Sequence, residues 1–193
     1  MQTVNRIVNV YTEANPNPNS MKFVVNFMLT PEGESMDYPS MDTTTSSPLA
    51  AALFTFSYVN RVFIASNFIT VTKEKDTEWQ EILSPLKKFI KNYLEEGSPI
   101  FNLSELSSSP EMNAQDSELV TKIKGILDEY VKPAVESDGG AISFANFQNG
   151  RVTVRLQGSC SGCPSSTITL KAGIENLLKR MVPEVQEVVA EGV

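Results

Sequence analysis

No histidine occurs among the 193 residues. That zero removes every Ser-His-Asp or Cys-His hydrolase, every H-E-x-x-H metalloprotease and every facial-triad iron oxygenase from the chemistry this chain can perform alone. Basic residues are also short: 16 Lys and Arg stand against 23 Asp and Glu, for a net charge of −7. The deficit is shared, with 8 basic and 11 acidic side chains in residues 1–97 and 8 and 12 in residues 98–193. Neither half offers the positive field that phosphate backbones or anionic lipid need, so no nucleic-acid and no membrane partner is expected. Long hydrophobic runs are missing too. The longest apolar stretch, Leu49 to Phe54, is far too short to cross a bilayer. Met1-Gln-Thr-Val-Asn lacks the charged and apolar parts of a secretion signal. These absences lead to the expectation of a cytoplasmic protein. Cysteine is scarce, with two in the chain, Cys160 and Cys163. In a reducing compartment such a pair is expected to serve as metal ligands or redox thiols rather than as a structural bridge.

What is present suffices for folding. Apolar residues make up 41% of the chain, and its length suits two domains of about a hundred residues each. The expected fold class is α+β: two small α+β domains, residues 1–97 and 116–193, joined by a flexible linker over residues 98–115. Ser98 to Gln115 is rich in Ser, Pro and Asn and has no periodicity, although Ile100, Leu103 and Leu106 leave it able to dock on a neighbouring surface. In the first domain, Ile7 to Tyr11 and Lys22 to Phe27 read as strands around the turn-forming Asn15-Pro-Asn-Pro-Asn-Ser20. A polar loop follows from Thr30 to Ser47. Ser47 is then placed to cap a short helix, Leu49 to Ser57, that starts on Pro48. Arg61 to Ile64 and Phe68 to Thr72 suggest a hairpin. Trp79, Ile82, Leu83, Leu86, Phe89, Ile90, Tyr93 and Leu94 paint one helical face, interrupted by Pro85, which with Ser84 as a cap allows two helices with a bend.

The second domain reads α-β-β-α-β, with its helices packed on a small sheet. Leu119, Ile123, Ile126, Leu127 and Tyr130 form the buried stripe of a helix capped by Asp116 or Ser117 and stopped by Pro133. Asp138-Gly139-Gly140 reads as a turn. Ala141 to Phe147 and Arg151 to Gln157 flank Asn149-Gly150, a strong hairpin signal. In the second of these strands Val152, Val154 and Leu156 face one way, and Arg151, Thr153 and Arg155 the other. A helix from Pro164 buries Leu170, Ile174, Leu177, Leu178 and Met181 until Pro183 ends it, and a last strand runs from Val185 to Val189.

Gly158-Ser-Cys160-Ser-Gly-Cys163-Pro164 lies between a strand and a helix start. With Pro164 as the first helical residue, Cys163 falls at the N-cap, and both sulfurs face unsatisfied N–H groups and the positive end of the helix dipole. Such surroundings favour the thiolate, the form that binds metal or attacks disulfides. Two thiolates are half of the four ligands that zinc sites and iron–sulfur clusters usually take. One chain cannot close a four-sulfur site; a symmetric dimer can, with the metal on the two-fold axis. The C-x-x-C pair by itself fits three readings: an iron–sulfur ligand set, a zinc-bridged interaction module, or a thiol–disulfide oxidoreductase. A thioredoxin-like enzyme would place a β-α-β unit before the motif, whereas here a hairpin precedes it. Ser159, Ser161, Ser165 and Ser166 read first as turn and cap residues, and Lys171, Lys179 and Arg180 as a solvated face.

The stretch from Gly158-Ser-Cys-Ser-Gly-Cys-Pro-Ser-Ser through Lys179, with Val182-Pro-Glu-Val185 after it and Pro133-Ala-Val-Glu-Ser-Asp-Gly-Gly-Ala-Ile142 before it, resembles the C-terminal domain of NifU-like, or Nfu-type, iron–sulfur cluster proteins. Pro16-Asn-Pro-Asn-Ser-Met-Lys-Phe23, Ser47-Pro-Leu-Ala50 and Phe68-Ile-Thr-Val-Thr-Lys73 resemble the Nfu N-terminal domain. The resemblance implies a non-enzymatic carrier that holds a [4Fe–4S] cluster between two subunits through Cys160 and Cys163. It would receive the cluster from upstream assembly proteins and pass it to apo iron–sulfur clients. The choice of [4Fe–4S] over [2Fe–2S] comes from the family, since the sulfur count permits both.

Overall fold

The computed structural model describes residues 7–31, 33–102, 118–160 and 164–192. The chain divides into two compact units, Met1–Ser109 and Pro110–Val193. Among the described residues no helix is long and apolar enough to cross a membrane.

In the first unit, β1 (Val10–Ala14), β2 (Ser20–Val25), β3 (Ser35–Tyr38), β4 (Val59–Ala65) and β5 (Phe68–Lys73) form an antiparallel sheet in the order β1-β2-β5-β4-β3. The β1–β2 turn is shaped by Asn15 Oδ1 accepting from Asn17 N–H and Asn17 Oδ1 from Asn19 N–H, which are side-chain mimics of backbone turns. Two helices, α1 (Pro48–Leu53) and α2 (Trp79–Glu95), share a core with one sheet face. As the sequence predicts, Ser47 Oγ caps α1 by accepting from Ala50 N–H at 3.1 Å. Its hydroxyl also donates to the Ile100 carbonyl, and Ile100 and Phe101, at the start of the expected linker, pack against this core. Residues 103–117 lie outside the described residues.

β1 lies three residues later and β2 two residues earlier than expected, α1 ends at Leu53 rather than Ser57, and two further features depart from the expectations. The polar loop contains the edge strand β3, whose Asp37 takes a forked hydrogen bond from Arg61 of β4, with Nε to Oδ1 at 2.7 Å. Four residues with mixed polarity carry too little alternation to announce a strand. Helix α2 also runs unbroken through Pro85. The lost hydrogen bond and ring clash cost about 3 kcal/mol. Burying Ile82, Leu86, Ile90 and Leu94 on both sides of the proline returns about 1.5–3 kcal/mol each.

The second unit holds α3 (Glu118–Ile126), a π turn (Leu127–Val131), α4 (Lys132–Ser137), β6 (Gly140–Gln148), β7 (Arg151–Gly158), α5 (Pro164–Met181) and β8 (Glu187–Gly192). Pro133 does not stop the helix. In the π turn Lys132 N–H reaches back five residues to the Leu127 carbonyl, and the helix continues with Pro133 as the second residue of α4. That wider turn carries one additional residue, so the buried stripe passes from Ile126 and Leu127 to Val131 and Val135, while Tyr130, expected inside, is 51% exposed. The β6–β7 hairpin turns on Asn149 and Gly150, both at positive φ, as a type I′ turn demands. β7 is central, antiparallel to β6 and parallel to β8, with α5 as the crossover. Val152, Val154 and Leu156 are buried in the core with Ile174, Leu178 and Val188, and Arg151 and Arg155 are exposed, as the alternation predicts. The last strand begins two residues later than expected. Val185 is buried in the turn that precedes it.

Candidate functional site

β7 ends at Gly158, whose φ of +68° is a conformation that favours glycine and turns the chain out of the ladder. Ser159 and Cys160 follow in that turn, and α5 opens on Pro164, the first helical residue the sequence predicts. Cys163, with Ser161 and Gly162, lies outside the described residues. Ser165 and Ser166 fall within α5, but their side chains lie outside the description as well.

Cys160 is 6% exposed and belongs to the core cluster of its unit. Ser159, 2% exposed, holds the turn from beneath. Its Oγ–H donates to the Asp138 carbonyl, its N–H donates to the Gly139 carbonyl at 3.3 Å, and its Oγ lies 3.8 Å from Cys160 Sγ. Asp138 and Gly139 join α4 to β6, with Gly139 at a φ of +78°. The structure thus brings together the strand end and the α4–β6 turn around one sulfur. Sequence reasoning read both turns, yet it gave no sign that they touch.

At the far end of α5, Lys179 and Arg180 complement the negative end of the helix dipole. Lys179 Nζ is 2.6 Å from Glu175 Oε1, and Glu175 Oε2 accepts from Val188 N–H at 3.0 Å. The hydrogen bond from Lys179, then the one from Val188, holds the Glu175 carboxyl below its ordinary value. Arg180 is exposed, as expected, whereas Lys171 is half-buried.

Among the described residues no group of three or more His, Cys, Asp or Glu side chains is arranged to hold a metal ion. Of the two cysteines, the one within the described residues is Cys160, a reduced thiol. The antiparallel β6–β7 hairpin that leads into the motif also differs from the β-α-β entry of a thioredoxin-like dithiol.

The fold is that of a two-unit α+β protein, with Cys160 in the turn that follows β7 and the C-x-x-C sequence falling between β7 and α5. The chain belongs to the NifU-like, Nfu-type family. Residues 10–97 match the family described as scaffold protein Nfu/NifU N terminal, and residues 123–189 match the NifU-like domain. Among curated relatives, the "NFU1 iron-sulfur cluster scaffold homolog, mitochondrial" of Drosophila ananassae is 40% identical over 93% of this chain and 63% of its own length. The protein of the same name from Drosophila willistoni is 39% identical over 95% of this chain and 63% of its own. A solution structure of a NifU-like protein from Saccharomyces cerevisiae matches with a TM-score of 0.46 and 22% identity, over 53% of this chain and 92% of that one.

The chain spans about 63% of the length of these curated relatives. Their names overturn one expectation. The cytoplasmic location does not stand, because the relatives are named as mitochondrial proteins. That expectation rested on Met1-Gln-Thr-Val-Asn lacking a secretion signal, and the lack of such a signal does not discriminate between internal compartments.

Proposed function

We propose that this protein is an iron–sulfur cluster carrier of the mitochondrion, the location its relatives' names carry. Two copies hold one [4Fe–4S] cluster through Cys160 and Cys163 of each, accept it from upstream assembly proteins and yield it to apo iron–sulfur clients. The observation that carries this reading is the half-complete donor set: two cysteines and no histidine in the chain, three positions apart at a strand-to-helix turn. The relatives' printed role as cluster scaffolds supports it.

The chain's own groups would act in three ways. The strand end fixes Cys160, and the start of α5 offers unpaired N–H groups and positive dipole charge toward anionic sulfur. The helix and sheet core beneath keeps the turn in place. Two thiolates per subunit are also few enough to be exchanged: client thiolates replace them one at a time, and losing both from one subunit separates the pair. Transfer of this kind moves cargo without chemical turnover.

Anaerobic reconstitution with iron and sulfide tests the proposal. The native chain should give a brown dimer with about four irons per two chains, and Cys160→Ser or Cys163→Ser should each abolish it. A colourless monomer would refute the carrier reading. Insulin reduction coupled to thioredoxin reductase should show little turnover; rapid cycling would favour a dithiol oxidoreductase instead.

A further inference from the structure

Among the described residues glycine stands at three positions around the sulfur turn, and backbone conformation explains two of them. Gly139 and Gly158 have φ of +78° and +68°. Gly140 does not fall in that positive-φ set; it is the first residue of β6, paired with Gly158 across the ladder. A glycine in a strand weakens it and often marks the close approach of another group. Here two groups approach, the Gln157 carbonyl oxygen and, next to it, the thiol. A methyl carbon at residue 140 would lie 3.0 Å from Cys160 Sγ, 3.4 Å from Cys160 Cβ and 2.6 Å from the Gln157 carbonyl oxygen. Gln157 is held in the β6–β7 ladder, so its carbonyl has little freedom to give way, and any side chain at 140 must drive the start of β6 and the sulfur apart. Ser159 completes the arrangement through its bonds to the Asp138 and Gly139 carbonyls. Asp138, Gly139 and Gly140 thus meet Ser159 and Cys160 at consecutive points.

We infer that Gly140 and Ser159 are positioning residues for Cys160: they form a seat that fixes its thiol at the end of β7 and shields it while the chain carries no cluster. The inference deepens the carrier reading and rests on it for its purpose, but the seat is a property of the empty chain and can be measured there. Loading then requires the thiol to leave the seat, and unloading returns it to a place where oxidants in solution have little access.

The test uses the full chain carrying Cys163→Ser, so that Cys160 is the sole thiol, and reads its rate of reaction with the disulfide reagent DTNB. Adding Gly140→Ala should raise the rate about tenfold and Ser159→Ala about threefold, because reactivity follows exposure and local opening. Two controls should stay within about twofold of the parent. Gly125→Ala adds a methyl that meets nothing within 4 Å, and Ile123→Val mildly loosens the same core elsewhere. Unchanged rates in both seat variants, or an equal rise in Ile123→Val, would overturn the seat. Should Gly140→Ala fail to fold by circular dichroism, Ser159→Ala decides alone, since it deletes an oxygen and adds no bulk. With both cysteines present, the seat variants should surrender iron to a chelator more slowly than the native dimer does, because the seat stabilises the empty state; faster loss would count against it. If the thiol rates rise but the native chain never takes up iron and sulfide, the seat stands and the carrier reading falls; a native chain that loads while the rates stay put gives the reverse.

Discussion

Glu175 ties the crossover helix to the strand that follows it, through one oxygen bound by Lys179 and the other by the Val188 amide. Both contacts favour the ionised carboxylate, so its folded-state pKa lies below the unfolded one. The stabilisation is present above the ordinary glutamate value and is lost as pH falls through the lower folded one. Thermal melts of the native chain and Glu175→Gln should therefore differ most near pH 6 and converge toward pH 3; a constant gap would refute the linkage. Single residues were unevenly legible in the sequence. Cys160 announced itself by its spacing from Cys163 and by Pro164. Ser159, Asp138 and Gly140 were readable as turn formers, but their contact with the sulfur joins segments about twenty positions apart, and no local pattern encodes that meeting.

Elements bounded by strong local chemistry were readable in the sequence. Ser47-Pro48 set the start of α1, Asn149-Gly150 set the hairpin, and strict alternation set the buried face of β7. Ser47→Ala should destabilise the first unit by about 1 kcal/mol through loss of the cap, and by more where the Ile100 carbonyl is left unpaired, as read by urea unfolding. A loss under a few tenths would mean that water replaces both bonds. Elements decided by competition were not readable. Pro85 and Pro133 look like stops, yet the first is outweighed by the apolar stripe around it and the second is accommodated by a five-residue backbone bond. Tyr130 was misassigned for the same reason, because a stripe extrapolated at 3.6 residues per turn misses the residue that a π turn adds. β3 emerged only once β4 was there to pair with it.

For the whole molecule, composition was informative by what it lacked. On the proposed carrier reading, two cysteines per chain complete a sulfur-bound centre only in company, which would make occupancy and association one equilibrium. Stripping iron from the reconstituted protein with a chelator should convert dimer to monomer in sedimentation velocity, with loss of colour and loss of dimer following one time course. A dimer that persists after bleaching would show that something other than cargo joins the copies. The sulfur turn also hangs from β7, the strand bonded on both sides, and not from an edge of the sheet. Its mount is thus a mast laddered on both sides, while Ser159 ties the turn to the neighbouring Asp138-Gly139 turn. If the chain is a carrier, a recipient that tugs on Cys160 would strain its turn before it strains the mast, so handing over the load would leave the platform ready for the next one.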